Sequence, residues 1–157
     1  MIYSTATVPV NPEGEHPLTR QQAWAGLVLK ARDARLFLPP GLCTRCEVVE
    51  EGAGHIVREA TIGGKDLREI ISFDDEQKVS FFQAGGPREG VIVNELFEDA
   101  GGALRLRFYC YLGLRGQAPG SAEEQAEQAM MDSEQGYRAA LLSTLKRTRE
   151  LLAAGRL

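Results

Sequence analysis

Two histidines, one tryptophan and three cysteines among 157 residues leave little material for several kinds of chemistry. His16 stands beside Pro17 and His55 follows Gly54; two isolated histidines supply neither a zinc-type ligand set nor the base of a serine or cysteine triad. Three is an odd number of cysteines and shows no disulfide framework, which agrees with a reducing compartment. No apolar run approaches the roughly 20 residues of a membrane span. The opening MIYSTATVPV lacks the charged and apolar regions of a signal peptide, so a cytoplasmic location is the expectation. Lysine and arginine form no block, and the net charge is −4; nucleic acid and anionic membrane surfaces are therefore excluded as main partners. Neither repeats nor low-complexity tracts occur. What remains is one domain, residues 1–157, large enough for a real core and with no metal or cofactor expected.

Within that frame the chain alternates between two periods. Tyr3 to Val10 is rich in threonine and valine and reads as a strand ended by Asn11 and Pro12. Thr19 with Gln22 three residues on is a capping box, and Ala23, Trp24, Leu27, Val28 and Ala31 recur at helical spacing. Asp33 caps a short turn, Ala34 to Leu38, that must stop before Pro39 and Pro40. From Leu42 onward the period is two. The strands expected are Leu42 to Glu50, His55 to Ile62, Lys65 to Phe73, Lys78 to Ala84, Val91 to Glu98 and Ala103 to Leu114, joined by glycine-bearing or polar turns. The last alternates most cleanly, with Leu104, Leu106, Phe108, Cys110 and Leu112 on one face, so one side of an antiparallel sheet is dry.

Ser121 to Leu152 reads as one uninterrupted helix of about 48 Å at 1.5 Å per residue. Ser121 and Glu124 have capping-box spacing, with Glu123, Glu124 and Glu127 near the start and Lys146, Arg147 and Arg149 near the end, as the helix dipole favours. An apolar stripe through Ala126, Met130, Ser133, Tyr137, Leu141 and Leu145 is the expected buried face. Its leucine-rich end is an anchor. Its first half carries adaptable methionines and Gly136, so it is a candidate wall of an internal space.

The fold class expected is α+β: a seven-stranded antiparallel curved sheet around a long C-terminal helix, in the order β-α-α-β-β-β-β-β-β-α. The run LTRQQAWAGLVLKARDARLFLP from Leu18 to Pro39, with VREATIGGKDLREII from Val57 to Ile71 and VIVNELFE from Val91 to Glu98, resembles the AtaL-like branch of the START and pollen-allergen-like SRPBCC superfamily, long catalogued as a domain of unknown function. The resemblance implies the helix-grip fold and an internal cavity for lipids, sterols, polyketides or hormones. It carries no catalytic signature. Some superfamily members are cyclases, aromatases or dehydratases, and others act on chaperones, so whether this chain is an enzyme is left open.

Turn arithmetic sharpens the candidate residues. A two-residue turn at Gly63 and Gly64 sets Arg58 opposite Glu69 and Glu59 opposite Arg68, one pair on each face. Arg58 and Glu69, sharing their face with Ile56, Ala60, Leu67 and Ile71, are placed inward as a polar handle for a mostly apolar ligand. A turn from Asp99 to Gly102 directs Glu95 inward with Leu106 and Phe108, whereas a turn one residue different directs Asn94 inward. Cys43 and Cys46, three apart on a strand, point to opposite faces unless the strand bends. Trp24 packs the first helix onto the sheet or borders the pocket. The ligand-binding set expected is thus Arg58, Glu69, Glu95, Leu106, Phe108, Met130, Ser133, Tyr137 and Trp24, and the partner a small apolar molecule held by a monomer or homodimer. An enzyme of polyketide-like or aromatic compounds using Glu95, Glu69 or Tyr137 for proton transfer, and a chaperone-associated interaction module with a filled core, are the other readings.

Overall fold

A computed structural model describes residues 1–157. Strand β1 (Ile2–Pro9) leads into helix α1 (Arg20–Arg32) and a single 3-10 turn, Ala34–Leu36. Six strands follow: β2 (Cys43–Gly52), β3 (His55–Ile62), β4 (Lys65–Asp74), β5 (Lys78–Gly85), β6 (Arg88–Glu98) and β7 (Leu104–Leu114). Helices α2 (Ala122–Asp132) and α3 (Tyr137–Ala153) close the chain. All seven strands form one antiparallel sheet in the order β1-β7-β6-β5-β4-β3-β2. None of the helices is long and apolar enough to cross a membrane.

Local chemistry explains the elements. Thr19 Oγ1 accepts from Gln22 N while Gln22 Oε1 accepts from Thr19 N, the expected capping box. Gly63 and Gly64 both take positive φ, 58° and 75°, the conformation of a two-residue hairpin turn whose twist matches the strands it joins. It fixes Ile62 against Lys65 and therefore Arg58 against Glu69. The concave face collects Ile56, Ile71, Phe81, Leu106, Phe108, Cys110 and Leu112 with Leu27 of α1 and Leu141 and Leu145 of α3 into one core.

The expected single C-terminal helix is broken. α2 ends at Ser133, whose backbone is extended and whose Oγ donates to Met130 O at 2.7 Å; Gly136 N then donates to Ser133 O, and α3 begins at Tyr137. A side chain at Gly136 would overlap the carbonyls of Met130 and Met131, so glycine is required there for space. Phase supplies the reason. α2 buries Glu124 and Met131, α3 buries Leu141, Thr144, Leu145, Thr148 and Leu151, and at 3.6 residues per turn these faces lie roughly 100° apart on one continuous helix. Breaking the helix lets both faces meet the sheet. The same phase moves the buried position from Met130, 49% exposed, to Met131, 2% exposed.

α2 docks on the sheet mostly through polar contacts. The Met1 ammonium meets Glu124 Oε1 at 2.5 Å, Ser4 Oγ donates to Asp132, and Gln128 bonds both the N–H and the C=O of Tyr3. α3, by contrast, is anchored by its leucines.

Candidate functional site

Strands β5 and β6 pair only from Lys78 with Glu95 to Phe82 with Val91 and then part. Arg115 spans the opening, donating from Nη2 to Gln83 O at 2.9 Å and from Nε to Arg88 O at 3.0 Å. Behind this splay lies a cavity of about 540 Å³ between the sheet and the two C-terminal helices. Leu67, Glu69, Gln83 and Ile92 line it from β4, β5 and β6; Glu123, Glu127 and Tyr137 line it from the helices; Leu38, Ile62, Lys65, Pro87, Arg88, Leu114, Arg115 and Gln117 complete it. Only six of its fifteen residues are apolar, so its lining suits an amphipathic guest better than a pure hydrocarbon.

One side of the cavity is backed by a buried ionic group. Arg58 and Glu69 are each 5% exposed. Arg58 donates from Nε and Nη2 to Glu69 Oε2, the former at 3.1 Å, and from Nη1 to the carbonyls of Lys30 and Ala31 at 3.2 and 2.9 Å. The guanidinium therefore neutralises the carboxylate and also satisfies carbonyls at the end of α1. Glu69 Oε1 accepts from Gln83 Nε2 at 2.9 Å. Lys30 sits nearby, its ammonium donating to Thr144 Oγ1 at 3.0 Å; burial, with the Arg58 charge as a lesser cause, pushes its pKa down to about 8.

Elsewhere in the lining, the Tyr137 ring stacks on Phe108, centroids 3.6 Å apart and planes 7° from parallel. Burial pushes the phenol's pKa up, against the opposing pull of Arg88. Arg88 forms an ion pair with Glu127. Burial works against the Arg88 charge, but Tyr137 and Glu127 together outweigh it and raise its pKa. Tyr137 thus stays a neutral hydroxyl at physiological pH.

Of the residues expected from sequence, Glu69 and Tyr137 line this cavity, with Arg58 behind Glu69 and Phe108 under Tyr137. Leu106 is fully buried in the core. Trp24 sits edge-on to Phe73, ring centroids 6.4 Å apart, and packs α1 against the core. Met130 and Ser133 are exposed, turned away by the phase of α2. Glu95 is on the outer face, bonded to Arg107, because the β6–β7 loop holds five residues: Asp99 Oδ1 accepts from Gly101 N and Ala103 N, and Glu98 pairs with Leu104. Asn94 takes the inward place opposite Phe108.

Gln83, Arg88 and Arg115 were not anticipated. Gln83 had a signal. A three-residue turn, Asp75 to Gln77 with Glu76 at φ 53°, pairs Asp74 with Lys78 and so Glu69 with Gln83; a four-residue turn from Asp74 to Gln77 sends Gln83 outward. Cys43 and Cys46 also differ from expectation. A β-bulge between Cys43 and Arg45 sets Cys43 opposite Ile62 and Cys46 opposite Ala60, so both face the same side and join a small cluster with Ala34. Burial raises the Cys43 thiol pKa. No three histidine, cysteine or carboxylate side chains converge as a metal-ligand set.

Comparison with known proteins follows this geometry. The profile of AtaL, acetylaranotin biosynthesis cluster protein L, matches residues 4–155. No curated protein sequence matches the chain. Among solved structures it is similar to the Zhui aromatase/cyclase of a Streptomyces species, with a TM-score of 0.67, 17% identity and coverage of 99% of this chain and 98% of that one. It is similar to the di-domain ARO/CYC BexL, with a TM-score of 0.64 and 13% identity over 94% of this chain and 50% of that one. A START superfamily protein from Mycobacterium smegmatis gives a TM-score of 0.61 at 10% identity, covering 96% and 97%. At these identities the likeness is one of fold. The chain belongs to the AtaL family and carries the START-like helix-grip fold that its resemblance implied.

Proposed function

We propose that this protein binds a small amphipathic molecule, largely apolar with one or two polar groups, in the cavity beneath α2 and the start of α3. The observation that carries the reading is the cavity itself. Its roughly 540 Å³ lies within the range of small-molecule sites, and one side of its polar lining is fixed by the buried Arg58–Glu69–Gln83 group. The aromatase/cyclase and START neighbours support a ligand-holding use of the same architecture. Native mass spectrometry of purified protein, followed by solvent extraction, tests it. A retained small molecule that leaves on extraction is the expected result; protein from several hosts that carries nothing and takes up no apolar dye contradicts it.

A second reading rests on the opposite face. Ile70, Phe82, Val91, Tyr111 and Tyr3 are successive cross-strand neighbours, and all but Val91 are more than 40% exposed, which makes a continuous apolar row across five strands. Such a row favours a protein-interaction module. Binding to another protein through that row, with no small molecule entering the cavity, is what this reading requires.

A further inference from the structure

Gln83 is 7% exposed and lines the cavity. The orientation of its carboxamide follows from its neighbours. Glu69 Oε1 at 2.9 Å and Phe81 O at 3.3 Å are both acceptors, so the NH2 group must face them and the carbonyl oxygen must face away. That oxygen accepts no hydrogen bond from the chain, and no buried side-chain polar atom is left without a partner, so the oxygen opens onto the cavity. The Glu69 carboxylate, meanwhile, is already engaged on both oxygens by Arg58 and Gln83. Tyr137, near Arg88 on the same cavity, offers a hydroxyl that remains protonated.

We infer that Gln83 determines specificity, accepting through its carboxamide oxygen a hydroxyl or N–H donor of the bound molecule. The inference rests on the cavity being the binding site. The ligand accordingly carries a hydroxyl or N–H donor and is not a hydrocarbon or an ether. A guest lacking the donor leaves a nearly buried acceptor without water or partner, which is the costly case for a polar group. Glu69 acts here as a positioning residue, because its carboxylate fixes the direction of the amide.

Two probes of nearly equal size test this: 2-naphthol and 2-fluoronaphthalene, titrated calorimetrically into the wild-type chain and Gln83→Met. One neutral hydrogen bond gained or lost corresponds to about five- to tenfold in affinity. The wild type is expected to prefer 2-naphthol by that factor, and Gln83→Met to lose the preference while still binding 2-fluoronaphthalene. Equal affinity of the wild type for both probes, or an unchanged preference in Gln83→Met, overturns the role of Gln83 and leaves the cavity reading standing. Failure of the wild type to bind either probe overturns the cavity reading and this inference with it. Should Gln83→Met not fold, the wild-type affinities are read with the side-chain carbonyl 13C shift of Gln83. A shift caused by 2-naphthol alone supports the assignment, and equal responses to the two probes contradict it.

Discussion

Arg58 joins three parts of the molecule with one planar group: the Glu69 carboxylate on β4, the terminal carbonyls of α1, and the Phe81 ring, over which its guanidinium carbon lies at 5.6 Å. Desolvating such a charge is tolerable only because every partner is in place. Arg58→Met is therefore expected to cost about 3–5 kcal/mol of stability in urea unfolding, since it leaves Glu69 buried without a counter-charge. The double replacement Arg58→Met, Glu69→Met removes the orphan charge, and is expected to be less destabilising than Arg58→Met alone. Losses that simply add would show that the pair is not coupled.

At the scale of elements, the break between α2 and α3 divides a firmly packed helix from one held by polar contacts to β1. Gly136→Ala forces a methyl group into the carbonyls of Met130 and Met131. Overpacking of this kind costs about 1–3 kcal/mol, and its effect is expected to concentrate in α2. Hydrogen exchange of α2 amides should quicken while β6 and β7 stay protected; uniform loosening of the sheet would show that α2 is not a separate unit. The elements also show what sequence can carry. The Gly63–Gly64 hairpin is readable because a two-residue turn admits one pairing, and the register indeed sets Arg58 opposite Glu69. The turn after β4 is one residue shorter than the expected strand bounds imply, and the turn after β6 is one residue longer than the one that directs Glu95 inward. A single residue moves every side chain of the next strand to the other face, which is why Gln83 was overlooked and Glu95 stood where Asn94 does. The helix break was less accessible: Ser133 and Gly136 are poor helix formers, but the roughly 100° difference in buried phase appears only once both helices meet the sheet.

Over the whole molecule, strands β3 to β7 and the two C-terminal helices border a half-open space that their side chains do not fill, while an exposed apolar row crosses the outer face of the sheet. The two features lie on opposite faces and imply different partners. Both come from one sheet whose alternation is apolar on the concave side and mixed on the convex side. The most direct test is a two-dimensional NMR titration of isotopically labelled protein with 2-naphthol. Saturable shifts confined to Gln83, Ile92, Leu114 and Tyr137 are the predicted result. Shifts at Ile70, Phe82 and Tyr111 with the cavity residues unmoved would contradict it.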